Sequence, residues 1–100
     1  MQYEPIQYRD VYDVPRMFVV RAGGKTFLFD CRFDEHEDEY ETYYSVFLMP
    51  PLAETELAGD WRKLPSIAVR FLGKVLVSDI EFDKSKRNEI NIDVLNQFAL

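Results

Sequence analysis

An α+β fold dominated by antiparallel strands is predicted by this 100-residue sequence, and three observations carry the prediction. Short aromatic and β-branched runs recur at 17–22, 25–31, 42–49, 74–83 and 89–95, several with alternating polarity. The connections between paired runs are too short for crossovers, so those runs pair as antiparallel hairpins. A single segment, near 64–72, carries helical periodicity. The expectation is four to five strands and one short helix at about 65–72, in one small globular domain spanning 1–100. Two arrangements stay open: a small, partly open barrel, or a layer covered by the helix.

At the front, Tyr3–Tyr8 reads as a short strand and Asp10–Pro15 as a loop, with Val14 extended because it precedes proline. The clearest element is the hairpin 17–31. Gly23-Gly24 supplies the positive φ angles of a two-residue turn, which sets Ala22 opposite Lys25, Val20 opposite Phe27 and Phe18 opposite Phe29. One face then collects Phe18, Val20, Phe27, Phe29, Cys31 and Phe33. The other holds Met17, Val19, Arg21, Thr26, Leu28, Asp30 and Arg32, a mixture expected of a face not turned to the core. A slip of one residue would scramble this partition, so the register is well specified.

The segment 34–41 follows as a connection. Thr42–Met49 has apolar residues on both faces and reads as a central strand, ended by Pro50-Pro51. Residues 50–63 read as a loop with room for one helical turn at Glu54–Ala58. Leu64, Ile67, Ala68, Phe71 and Leu72 fall on one helical face, with Pro65 at its first position, Gly73 past its end and Trp61 as an anchor. The final third reads as a second hairpin. Lys74–Asp83 carries an irregularity near Ser78-Asp79, Asp83–Asn88 is a polar turn, and Glu89–Leu95 alternates with Ile90, Ile92 and Val94 inward. Residues 96–100 end the chain as a helical turn or a frayed tail.

Composition narrows the function. An apolar fraction of 47% with 15% aromatics excludes a disordered chain. No apolar run approaches the roughly 20 residues of a membrane-spanning helix, and the N-terminus lacks the pattern of a signal peptide. With one cysteine there is no internal disulfide, so a reducing, cytoplasmic setting is expected. The net charge is −6, and Asp34, Glu35, Glu37, Asp38, Glu39 and Glu41 account for all of it, because the remaining acids balance the 12 bases. Nucleic acid and anionic membranes are disfavoured as partners. The best basic cluster, Lys84, Lys86 and Arg87, is a small one on a turn.

No catalytic constellation is legible. Cys31 takes the inward parity of its strand and reads as an apolar filler, and His36 reads as an exposed loop residue among carboxylates. The spacing of Asp34, His36 and Asp38 lacks the central Gly and the closing Glu of a calcium loop, and no zinc spacing occurs. No metal and no cofactor is expected. The acid run has two readings, a solvated loop or a contact surface for a cation-rich partner. The six tyrosines have two as well, since Tyr3, Tyr8, Tyr12, Tyr40, Tyr43 and Tyr44 exceed what so small a core can hold with every hydroxyl satisfied. Together they predict a non-enzymatic protein-binding domain, of which an inhibitor or immunity protein is one version. Its contact residues would be Asp34, Glu35, Glu37, Asp38, Glu39, Tyr40, Glu41 and Tyr43, and its partner a basic protein or peptide surface. The alternative is a structural or self-associating module that pairs through a strand edge, with the acids serving only solubility. An enzyme working through paired carboxylates is the third class, and no second catalytic group accompanies the acids.

Overall fold

A computed structural model describes residues 3–83, 85 and 88–98. Its main element is an open, six-stranded antiparallel sheet. The strands are β1 (Tyr3–Tyr12), β2 (Val14–Ala22), β3 (Lys25–Asp30), β6 (Tyr43–Met49), β7 (Arg70–Leu76) and β8 (Glu89–Asn91), in the spatial order β7-β6-β3-β2-β1-β8. A separate two-stranded hairpin, β4 (Phe33–Asp34) and β5 (Glu39–Tyr40), projects from it. The antiparallel class is therefore as expected, the strand count is higher, and β7 and β8 remain as edges, so no barrel closes.

The β2–β3 hairpin has the register set by its glycines. Ala22 pairs with Lys25, Val20 with Phe27 and Phe18 with Phe29, and Gly23 and Gly24 take φ of 59° and 75°. Its even-numbered β2 residues and odd-numbered β3 residues enter the larger core, where Phe18, Val20, Phe27, Phe29 and Cys31 meet Ile6, Tyr44, Val46, Val75 and Ile90. Phe18 stacks on Phe29 at 4.6 Å, and Tyr44 meets both edge-on. The Tyr44 hydroxyl, fully buried, donates to the Pro15 carbonyl at 2.6 Å.

The opposite face is also covered, contrary to its mixed composition. Met17, Val19, Leu28 and Met49 pack there against Trp61 and Leu64. The covering layer is the segment after Pro51, made of the short helix α1 (Glu54–Ala58) and a 3₁₀ run at Trp61–Ile67. The Leu57 carbonyl accepts from both Arg9 Nη2 and Trp61 Nε1, and Arg9 lies over the Trp61 ring at 4.6 Å, which ties the layer to β1. Asp30, like Thr26 a polar residue buried on this side, lies beside Arg32, whose Nε donates to it at 3.0 Å.

Three expected elements are corrected. The helix at 65–72 does not form. Its first half is the 3₁₀ run containing Pro65, and its second half becomes β7. Helical spacing lost to the open edge of β6, whose carbonyl at Leu48 captures the Val69 amide at 2.8 Å and starts a new ladder. The loop at Asp10–Pro15 is strand. β1 continues to Tyr12, and Asp13 at φ 66° turns the chain alone, since Tyr12 already pairs with Val14. The second hairpin is reduced to the bridge Phe82↔Ile90 and a few backbone bonds, because a 3₁₀ turn at Val77–Asp79 breaks the strand where the irregularity was read. β8 also pairs, on its other side, with β1 through Tyr3↔Asn91, Glu4↔Ile90 and Pro5↔Glu89. Past Asn91 the chain is 3₁₀ rather than strand and folds Leu95 onto the core. Of the polar turn, Lys84, Lys86 and Arg87 lie outside the described residues. No helix of the described chain is long and apolar enough to cross a membrane.

Candidate functional site

The acidic segment is a hairpin rather than a plain loop. Phe33 pairs with Tyr40 and Asp34 with Glu39. Its tip is closed by the Asp34 carboxylate, which accepts from the amides of His36 and Glu37 at 2.9 and 3.3 Å, and by Asp38 at φ 57°. Asp is suited to both positions, because its short side chain bonds nearby amides and tolerates the left-handed region. The fold returns the hairpin to the sheet through the Glu41 amide on the Arg32 carbonyl, 2.9 Å.

Between this hairpin and the far end of β7 lies a groove of about 810 Å³. Tyr12, Phe33, Tyr40 and Leu76 line it, with the carboxylates of Asp38, Glu39 and Glu41. Its aromatic floor is continuous. Tyr12 stacks on Tyr40 at 5.6 Å with 30° between rings, and Phe33 meets Tyr40 edge-on at 5.2 Å. Tyr12 is 63% exposed, Leu76 50% and Phe33 47%, a concentration of apolar surface that sits beside three acids.

Among the described residues, one cation belongs to the groove. The Arg16 guanidinium lies 4.5 Å over the Tyr40 ring, donates from Nε to the Tyr12 carbonyl at 2.9 Å, and donates from Nη1 to Cys31 Sγ at 3.6 Å. The Cys31 thiol in turn donates to the Glu41 carbonyl at 3.1 Å. Burial pushes this thiol up from its usual range, against the opposing pull of Arg16, so it stays protonated at neutral pH and remains part of the core behind Arg16.

Asp38, Glu39, Tyr40 and Glu41 line the groove. Asp34 builds the tip, and Glu35 and Glu37 are exposed there, outside the groove. Tyr43 reaches it only indirectly. Its hydroxyl donates to Glu41 at 2.8 Å while its ring lies under Lys74 Nζ at 4.2 Å. His36 is exposed at the tip. Phe33, expected in the core on strand parity, is exposed instead, because β3 ends at Asp30 and the chain turns outward before β4. The tyrosines divide sharply. Tyr44 is the fully buried one, Tyr40 and Tyr43 are half-buried, and Tyr3, Tyr8 and Tyr12 are exposed.

Sequence reasoning missed Phe33, Leu76 and Arg16 as groove residues, and held Tyr12 only as one tyrosine among six. The one available signal was a mismatch: Leu76 and Tyr12 are large apolar residues next to polar turns. Among the described residues no three His, Cys, Asp or Glu side chains converge as a metal site requires. The arrangement can stack planar groups, accept hydrogen bonds and hold a cation. No protein-family description, curated protein or solved structure matches the chain.

Proposed function

We propose that the chain is a non-enzymatic, cytoplasmic protein-binding domain that contacts a basic protein or peptide through the acidic hairpin and its neighbouring tyrosines. The observation that carries the reading is the groove itself, where exposed aromatic surface and three carboxylates share one concave site. Buried aromatic contacts supply affinity in protein interfaces, while complementary charge steers encounter and selects the partner. An inhibitor of a basic protein would use such a surface.

The test is capture from cell lysate, with wild type beside a variant carrying Asp38→Asn, Glu39→Gln and Glu41→Gln, at low and high salt. The expected result is a basic protein retained by the wild type alone and released by salt. Equal capture by both chains overturns the reading. A second reading, self-association through a strand edge, is favoured by β7, an edge strand that exposes Phe71 and Leu76 with Val69 just before it. Lys74 and the bulge at Leu72-Gly73, where Gly73 has φ 147°, oppose it, since charge and a bulge are what blunt an edge. Concentration-dependent sedimentation insensitive to salt would favour that second reading.

A further inference from the structure

The ligand of the groove is narrower than a basic surface. We propose that its anchor is an arginine side chain of the partner, stacked on the exposed ring of Tyr12 and paired through its N–H groups with the carboxylates of Asp38 and Glu39. The proposal rests on the protein-binding reading above and names the chemistry that reading leaves open.

Three observations carry it. Tyr12 is stacked on Tyr40 through one face and is still 63% exposed, so a planar surface remains for a second stacked group. The carboxylates of Asp38 and Glu39 accept no hydrogen bond and form no ion pair among the described residues, whereas Glu41 is held by the Tyr43 hydroxyl. Finally, the groove already shows the geometry once. Arg16 lies over Tyr40 at 4.5 Å while its N–H groups reach acceptors beside the ring, the Tyr12 carbonyl and Cys31 Sγ.

Arginine fits this site better than lysine. A guanidinium has weakly hydrated faces that lie on an aromatic plane, with its donors left free around the edge for carboxylates. An ammonium is compact and strongly hydrated, and approaching the ring strips water from the same hydrogens it needs for the acids. Among the described residues the groove is lined by three acidic residues and one arginine, an excess of negative charge for an incoming cation.

The experiment is an amide-resolved NMR titration of the full chain at low salt. Two probe peptides are used, acetylated and amidated. One carries three arginines spaced by glycine, and the other carries three lysines in the same frame. The arginine peptide is expected to bind about three- to five-fold tighter, the ratio that a single exposed cation–π contact supplies. Its shifts should centre on Tyr12, Phe33 and Tyr40. Tyr12→Ala, at an exposed position whose folding is checked by its melting temperature, should lower arginine affinity to the lysine level, and Tyr12→Phe should keep the preference. Equal affinities for the two peptides, or an arginine preference that survives Tyr12→Ala, overturns the anchor and leaves the acidic groove standing. Shifts from neither peptide overturn both.

Discussion

Tyr44 shows how much one side chain settles. Its ring completes the aromatic cluster with Phe18 and Phe29, and its hydroxyl satisfies the carbonyl of the fully buried Pro15. Tyr44→Phe keeps the ring and removes that buried hydrogen bond. It should cost about 1–2 kcal/mol, read from urea unfolding, and a neutral result would show that the carbonyl finds another donor. The same burial makes the fold alkali-sensitive. Both the Tyr44 phenol and the Cys31 thiol titrate above their ordinary values of 10.0 and 9.0, because burial disfavours their anions. The unfolded chain releases these protons first, so the native state binds more protons in that range and stability falls as pH rises. The urea midpoint should therefore drop between neutral pH and about pH 10, less steeply in Tyr44→Phe. A flat profile in both proteins would contradict it.

Among the elements, the β2–β3 hairpin was the most legible and the segment 64–76 the least. The hairpin is governed by a local rule, since Gly23 and Gly24 both hold φ near +60 to +75° where a Cβ is unfavourable. Changing both to Ala should cost about 1–2 kcal/mol per residue, whereas Gly23→Asn should be near neutral, in thermal melts of the two variants. Equal losses would mean that the turn does not need the left-handed conformation. The segment 64–76 obeys no local rule so strong. Its apolar spacing suits a helix, yet Leu64 and Ala68 pack on the outer face of the sheet, and Phe71, which that spacing would bury, is 53% exposed on an edge strand. The ladder with β6 outweighed a periodicity that a short helix could not have sustained alone.

For the molecule as a whole, the charge is carried by the one hairpin that stands apart from the sheet. Neutralising all six carboxylates, with Asn at Asp34 and Asp38 and Gln at Glu35, Glu37, Glu39 and Glu41, takes the net charge from −6 to zero. Asn keeps the oxygen that closes the tip, so the melting temperature should hold or rise. Salt-dependent partner binding should vanish, and solubility should be poorest near neutral pH. A fall of about 4–8 °C or more, the shift a 1 kcal/mol loss produces, would instead make the carboxylates part of the fold's stability.

The candidate site divides along the same line. Its acids were visible because six of them fall within eight residues, and a charge run needs no structure to be seen. Its apolar lining was not, because Tyr12, Phe33 and Leu76 come from β1, β4 and β7 and meet only when the chain is folded. By itself the sequence determined the antiparallel class, the register of β2 on β3, the two apolar faces of 43–49, the burial of Cys31 and the place of the charge, all of which follow from neighbours in the chain. Only the tertiary structure decided that the mixed face would be covered, that β8 would take β1 as a longer partner beside its expected one, and that acids and aromatics would share a groove. Those outcomes turn on which exposed edge or face finds a partner at long range, and local spacing carries no term for that competition.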